Sequence, residues 1–143
     1  MKKGIDFIGV GVGAMVFNDQ GLVFMAKRGK NVRNEAGRWE FPGGAVSFGE
    51  TLEEAIKREF KEECGVEICI KEMLCVTDHI LPEVGQHWVS PTFIASLVSG
   101  VPTIKEPEKC SEIGWFSLDN LPSPLMTVSE NSVKKYMERF EKI

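Results

Sequence analysis

Residues 39–66 read WEFPGGAVSFGETLEEAIKREFKEECGV, and much of the chain's architecture can be worked out from them. Trp39-Glu40-Phe41 is a short strand candidate stopped by Pro42-Gly43-Gly44, because these residues favour turns and proline gives no N–H to a ladder. A helix is predicted over 52–64. Thr51 stands three residues before Glu54, the spacing of a capping box, and Gly65 is a good C-terminal stop. At about 100° per residue, Leu52, Ala55, Ile56 and Phe60 fall on one stripe, which should face the core. Glu59 and Glu63 project from the middle of that stripe and Glu62 from its edge near Ala55, whereas Glu53, Glu54, Lys57, Arg58 and Lys61 occupy the opposite side. A Glu/Lys-rich segment is ordinarily a solvated helix; the acids' place on the apolar stripe reverses that reading. Partly buried carboxylates are costly unless paired or bound to metal, and neighbouring ones repel. A divalent cation resolves both costs. Oxygen donors without His or Cys suit hard cations, so Mg²⁺ is expected, with Mn²⁺ as a substitute.

Outward from this segment the pattern is that of strands. Phe7 to Phe17 is apolar and β-prone, Asn18-Asp19-Gln20-Gly21 turns, and Leu22 to Ala26 resumes, which predicts a hairpin. Two more strands are predicted at Val66 to Thr77 and Trp88 to Val98, joined by a polar connection containing Pro82 and Gly85. Trp115-Phe116 is a further short apolar segment, and Ser129 to Ile143 spaces Val133, Tyr136, Met137 and Phe140 helically. Strands on both sides of one internal helix, with a terminal helix, predict an α/β chain with a mixed sheet sandwiched between helices.

With 143 residues, 43% of them hydrophobic and 27% charged, one globular domain over residues 1–143 is expected. A net charge of −4 argues against a footprint for polymeric nucleic acid, and it means that a small anionic substrate would need metal ions. Cys64, Cys69, Cys75 and Cys110 show no CxxC spacing, so neither a zinc site nor a disulfide framework is indicated, and a reducing cytoplasm fits. Lys2 and Lys3 precede only a Gly-broken strand pattern, and no apolar run reaches membrane-spanning length; no export signal or membrane partner is expected.

Gly44, five residues, Glu50, seven residues, then Arg58-Glu59-Phe60-Lys61-Glu62-Glu63-Cys64-Gly65-Val66 resembles an intact Nudix box, with no departures. Trp39-Glu40-Phe41-Pro42-Gly43 before it and Trp115-Phe116-Ser117-Leu118-Asp119-Asn120-Leu121-Pro122 after it also resemble family features. The resemblance implies the Nudix fold, an α/β/α sandwich, across essentially the whole chain. It implies that Glu59 and Glu63 bind metal, that Glu62 is a further ligand or activates water, that Glu50 and Arg58 support them, and that the Gly43 carbonyl is a metal ligand. A later acidic residue, Glu106 or Glu108, would add to the set. The activity implied is hydrolysis of a nucleoside triphosphate, ordinary or modified, to monophosphate and pyrophosphate by water attack on phosphorus, with a glutamate accepting the proton.

Other residues bear on the substrate. Gly43 and Gly44 would let backbone approach phosphates closely. Lys27, Arg28, Lys30, Arg33 and Arg38 form a basic stretch, of which Arg28 resembles a phosphate contact. Phe41, Phe48, Trp88 and Leu125 or Met126 are candidates for an apolar slot for a base. Gly9, Gly11 and Gly13 fit a loose dinucleotide fingerprint but lack the following helix; they share one strand face, which makes room for a packed element or a base. His79 and His87 lack helical metal spacing and read as strand or loop residues. Pro82, sixteen residues beyond Val66, resembles a mark of ADP-ribose hydrolases, so ADP-ribose or another nucleoside diphosphate derivative is the alternative substrate. A non-catalytic nucleotide-binding module would usually lack a box glutamate, and none is missing; a calcium site would need an Asp-rich loop, which is absent. Edge strands and helices leave a homodimer open.

Overall fold

The computed structural model describes residues 1–32 and 34–141; Arg33 of the basic stretch and Lys142 and Ile143 of the expected terminal helix lie outside them. Strand β1 (Gly9–Phe17) turns at Asn18, whose side chain accepts from the Gln20 and Leu22 N–H groups as short amide side chains do in turns, and β2 (Val23–Arg28) returns antiparallel. Then come β3 (Trp39–Glu40), β4 (Gly43–Ala45), α1 (Leu52–Cys64), β5 (Glu67–Leu81), β6 (Gln86–Ser99), β7 (Cys110–Phe116) and α2 (Thr127–Phe140). These strands form one mixed sheet in the order β3-β2-β1-β6-β5, with β4 also on β1 and β7 also on β2; β1 and β6 run parallel.

Alternation along the strands divides the core into two layers. Val12, Ala14, Val16, Phe24 and Phe93 face α1 and meet Ala55, Ile56 and Phe60. Met15, Met25 and Leu74 face the other way with Trp39 and Phe41, against Val133 and Tyr136 of α2. Thr51 and Glu54 form the predicted capping box, and Gly65 ends α1 at φ 74°. The α/β/α sandwich is therefore as expected. No helix among the described residues is long and apolar enough to cross a membrane.

Three local expectations are corrected. Pro42-Gly43-Gly44 does not run as a plain loop into α1, because Gly43–Ala45 pairs antiparallel with β1, Gly13 opposite Gly43. The polar connection after Thr77 shrinks to a 3₁₀ turn at Pro82–Val84, closed by Gly85 at φ 64°, and the strands on either side extend into one long hairpin. Trp115-Phe116 is the end of a seven-residue strand held by β2, whose pairing recruits less apolar residues than the sequence pattern picks out.

The terminal helix begins at Thr127, before the expected Ser129, and its capping residue Met126 offers no side-chain acceptor. The cap comes from 92 residues away: Glu35 accepts hydrogen bonds from the Thr127 N–H and hydroxyl through Oε1, while its Oε2 lies 3.0 Å from His79 Nε2. Glu35 is held at φ 46°, a conformation that costs an L residue about 1 kcal/mol or more. Burial works to raise its pKa, but the bonds from His79 and Thr127 outweigh it and hold the carboxyl at about 2. Its stabilising contribution is thus complete above the unfolded value of 4.5 and is lost as pH falls toward 2. Glu35→Ala is expected to cost about 2 kcal/mol at neutral pH, and the gap from wild type should narrow in urea titrations as pH drops through that window. A constant gap would place the loss in packing rather than in the carboxylate.

Candidate active site

Two cavities open on either side of a waist made by Arg28, Glu40, Gly43 and Gly44, which line both. The larger, about 460 Å³, lies at α1 and is walled by Glu59, Glu63, Cys64, Glu106 and Lys109. The smaller, about 110 Å³ and termed the narrower cavity for its lesser volume, lies on the α2 side against Asn34, Phe41, His79, Trp88, Ser90 and Met126.

Helical period aims Glu59 and Glu63 at the first cavity, as the stripe predicts. Gly44 on β4 passes so close that a Cβ there would overlap the Glu59 carboxylate, with Oε1 at 2.5 Å. Burial, the first cause, pushes the Glu63 carboxyl up to about 9, helped by the nearby charges of Glu59, Glu40 and Glu106. Glu59 is also raised, by burial above all and against the pull of Arg58. Arg58 gathers the remaining box acids: its Nε and Nη2 reach the Glu50 carboxylate at 2.5 and 2.9 Å, while Nη1 donates to Glu59 at 2.9 Å and Glu62 at 3.2 Å. A further bond from Nη2 to the Ala45 carbonyl ties this hub to β4. The fork on Glu50 holds that carboxyl at about 2, and Arg58 itself is raised by the same contact.

Not every expected residue reaches a cavity. The Glu62 side chain is 56% exposed, lines neither cavity and meets the set only through Arg58. Glu108 lines neither, and Glu106 stands in its place: the Lys109 and Cys110 N–H groups both bond to the Glu106 carbonyl, so a tight turn brings 106, 109 and 110 to the wall. The Glu108 carbonyl packs against Gly29 instead. Phe48 is fully exposed and contributes to no slot. Phe41 and Met126 do line the narrower cavity, Phe41 with its N–H bonded to the Ser129 hydroxyl. Arg28, expected as a phosphate contact, is only 12% exposed and bonds Glu40 at 3.1 Å and Asn34 at 3.0 Å. Gly9 is occupied by packing, since a Cβ there would meet Trp88 at 2.5 Å, whereas Gly11 and Gly13 line the cavity.

Glu40 and Asn34 escape the sequence reading. Alternation carries a signal for Glu40: it sits between Trp39 and Phe41, both buried toward α2, so its side chain must go to the other face. Asn34 carries none; it enters by bonding across 52 residues to Gln86 Oε1, which also accepts from Trp88 Nε1.

Among the described residues no three acids, histidines or cysteines close into a ready metal cage. The acids instead face one open volume. Such oxygen donors could hold a hard divalent cation of the kind that is bound by one or two carboxylates together with substrate phosphates.

An acidic cavity beside a glycine-rich strand, joined to a smaller cavity across it, is an arrangement suited to a phosphate chain. The NUDIX domain family model matches residues 8–139, and this chain belongs to the Nudix hydrolase family, enzymes that cleave phosphoric anhydride bonds. It is 34% identical over 129 residues to the 8-oxo-dGDP phosphatase of Mus musculus, covering 87% of this chain but only 36% of the mouse protein's length. It is 31% identical over 128 residues to the ADP-ribose pyrophosphatase of Methanocaldococcus jannaschii, covering 90% of this chain and 72% of that protein. Among solved structures, the MutT NUDIX hydrolase from Burkholderia pseudomallei superposes with a TM-score of 0.84 at 38% identity, over 91% of this chain and 98% of that one.

Proposed function

We propose that this chain is a Mg²⁺-dependent hydrolase, Mn²⁺ substituting, that cleaves a nucleoside triphosphate, ordinary or modified, to the monophosphate and pyrophosphate by water attack on phosphorus. The observation that carries this reading is the pair of cavities meeting at the Gly43-Gly44 waist: the acidic one takes the phosphate chain and the narrower one the nucleoside. Glu59 and Glu63 fit a hard cation, because both are oxygen donors whose ionised forms oppose one another in a half-buried place. Glu59, Glu63 and the Gly43 carbonyl are the groups that would hold such a cation, which would supply charge neutralisation and water activation.

The protein's own groups do the rest. Arg58 ties Glu50, Glu59 and Glu62 into one array, so a proton leaving the attacking water is taken by Glu59, already on the cavity wall, or by Glu62 once it turns in from the solvent side. The main chain at Gly44 approaches the phosphates without a side chain in the way, and Lys109 on the wall offers a cation to the phosphate oxygens that remain.

A second reading, cleavage of ADP-ribose or another nucleoside diphosphate derivative, is favoured by the archaeal relative's name. Pro82 adds little to it, since it lies in the 3₁₀ turn of the β5–β6 hairpin and lines neither cavity. Product analysis with Mg²⁺ over ordinary and oxidised nucleoside triphosphates, ADP-ribose and sugar nucleotides separates the two. Triphosphates releasing pyrophosphate, with loss in Glu62→Gln and Glu63→Gln, is the expected result. Two monophosphates from ADP-ribose, with triphosphates untouched, would transfer the case to the second reading.

A further inference from the structure

We propose that His79 is a specificity-determining residue of the narrower cavity, presenting a ring-nitrogen acceptor to an N–H donor on the nucleobase, and that Glu35 is the positioning residue that fixes its tautomer. The inference rests on the nucleotide-hydrolase reading above.

His79 is 3% exposed and lines the cavity, on the strand face it shares with its cross-strand partner Trp88 and with Ser90. Its Nε2 lies 3.0 Å from Glu35 Oε2. A carboxylate that also accepts from Thr127 offers His79 only acceptors, so Nε2 carries the hydrogen; in the neutral imidazole, Nδ1 is then the nitrogen with the free lone pair. Nδ1 has no protein partner among the described residues, yet none of their fully buried side-chain nitrogens or oxygens goes unpaired. Nδ1 must therefore open onto the space that the ring lines, where an acceptor left without a donor penalises any ligand that displaces water from it.

Several acceptors around the cavity are already engaged, the Glu40 carboxylate at the waist among them, by Arg28. Asn34 Oδ1 is taken by Arg28, Gln86 Oε1 by Asn34 and Trp88, and Ser129 Oγ by the Phe41 N–H. Thr92 Oγ1 accepts from Ser132. A flat ring entering beside Trp88 thus meets at His79 an acceptor with no internal donor. The chemistry that fits is a base carrying a ring N–H or amino group at that edge.

The test is a cycle between enzyme and substrate. Wild type and His79→Phe are compared on two pairs of triphosphates that differ in one donor, guanosine against inosine and adenosine against purine riboside, and on 8-oxodeoxyguanosine against deoxyguanosine, where an N7–H replaces an acceptor and a C8 carbonyl is added. Loss of one of these donors should cost wild type about tenfold in kcat/KM, mostly through KM, and His79→Phe less than about twofold. Glu35→Gln keeps the ring but lets its tautomer exchange; it should lose part of the discrimination, and ¹⁵N shifts should report a protonated Nε2 in wild type and a mixture in the variant. Equal donor costs in wild type and His79→Phe, or a protonated Nδ1 in wild type, would overturn the proposal. Wild-type protein that cleaves no member of the panel would instead overturn the nucleotide-triphosphatase reading, whatever the histidine spectrum shows.

Discussion

Glu63→Gln is expected to lower the rate of anhydride hydrolysis by at least about 10²-fold and, in the same protein, to raise the thermal midpoint measured in chelator. Both effects come from one placement. Glu63 is half-buried on the wall of the acidic cavity, and its desolvation there, with Glu59, Glu40 and Glu106 nearby, pushes its carboxyl up to about 9. In the metal-free protein the folded chain therefore retains a proton that the unfolded chain releases from about 4.5 upward, so stability falls as pH rises between those values. Glutamine cannot ionise and removes that slope, a gain on the order of 1 kcal/mol at pH 8. Mg²⁺ should reverse the order of midpoints, because binding to the folded state alone stabilises wild type by mass action while the variant has lost a ligand. Melts at pH 5 and pH 8, with chelator and with Mg²⁺, check this. Equal stabilisation of both proteins by Mg²⁺ would remove Glu63 from the cation site.

The sequence shows this placement because helical periodicity is strict. Within α1 the backbone position follows from number, so Glu59 and Glu63 could be set toward the core and Thr51, Glu54 and Gly65 as its ends, and each is where the spacing puts it; Arg58, set on the solvated side, is the exception, because its long side chain folds back onto Glu50 and Glu59. Glu62 shows the limit of that argument: at the edge of the stripe, a small rotation decides between cavity and solvent, and it stands on the solvent side, held to the set only by Arg58. Loops carry no such rule. Glu106 and Glu108 are both acidic and both near the site, and a turn whose carbonyl at Glu106 takes two N–H groups is what separates them.

Long-range contacts were the least legible. Nothing local in Asn34-Glu35 signals that these residues close a network with Arg28, Gln86, His79 and the start of α2, because the partners lie 6 to 92 residues away. The sequence also treats His79 and Trp88 as unrelated residues of two strands. They become neighbours through the register of the β5–β6 hairpin, which shifts at three places along its length and cannot be counted from either strand alone. The glycines of β1 were half legible: a common face followed from alternation, but whether it held protein or ligand depended on the partner strand, and the answer differs between Gly9 and Gly11.

Gly43→Ala and Gly44→Ala should fail in different ways although they neighbour each other on a three-residue strand. A Cβ on Gly43 would overlap the Val12 carbonyl and come within 2.8 Å of the Gly13 Cα, both main-chain atoms of β1. Neither can rotate away, so β4 must separate from β1 and give up pairing at Val12 and Gly13. The expected loss is about 3 kcal/mol or more, at the upper end for forced overpacking, with a large drop in urea midpoint and activity falling along with the folded fraction. At Gly44 the obstacle is the end of a side chain, the Glu59 carboxylate, which can swing aside at the expense of its bond to Arg58. Gly44→Ala should keep the midpoint within about 1 kcal/mol of wild type and still lose at least about tenfold in kcat, because a displaced Glu59 no longer shares the cavity with Glu63 in the geometry that the reaction uses. Comparing the two variants by urea titration and by turnover per folded molecule separates what the glycine pair does for the sheet from what it does for the site. If Gly44→Ala unfolds as readily as Gly43→Ala, the close approach of β4 to α1 is a requirement of packing, and the room it leaves for the carboxylate is incidental.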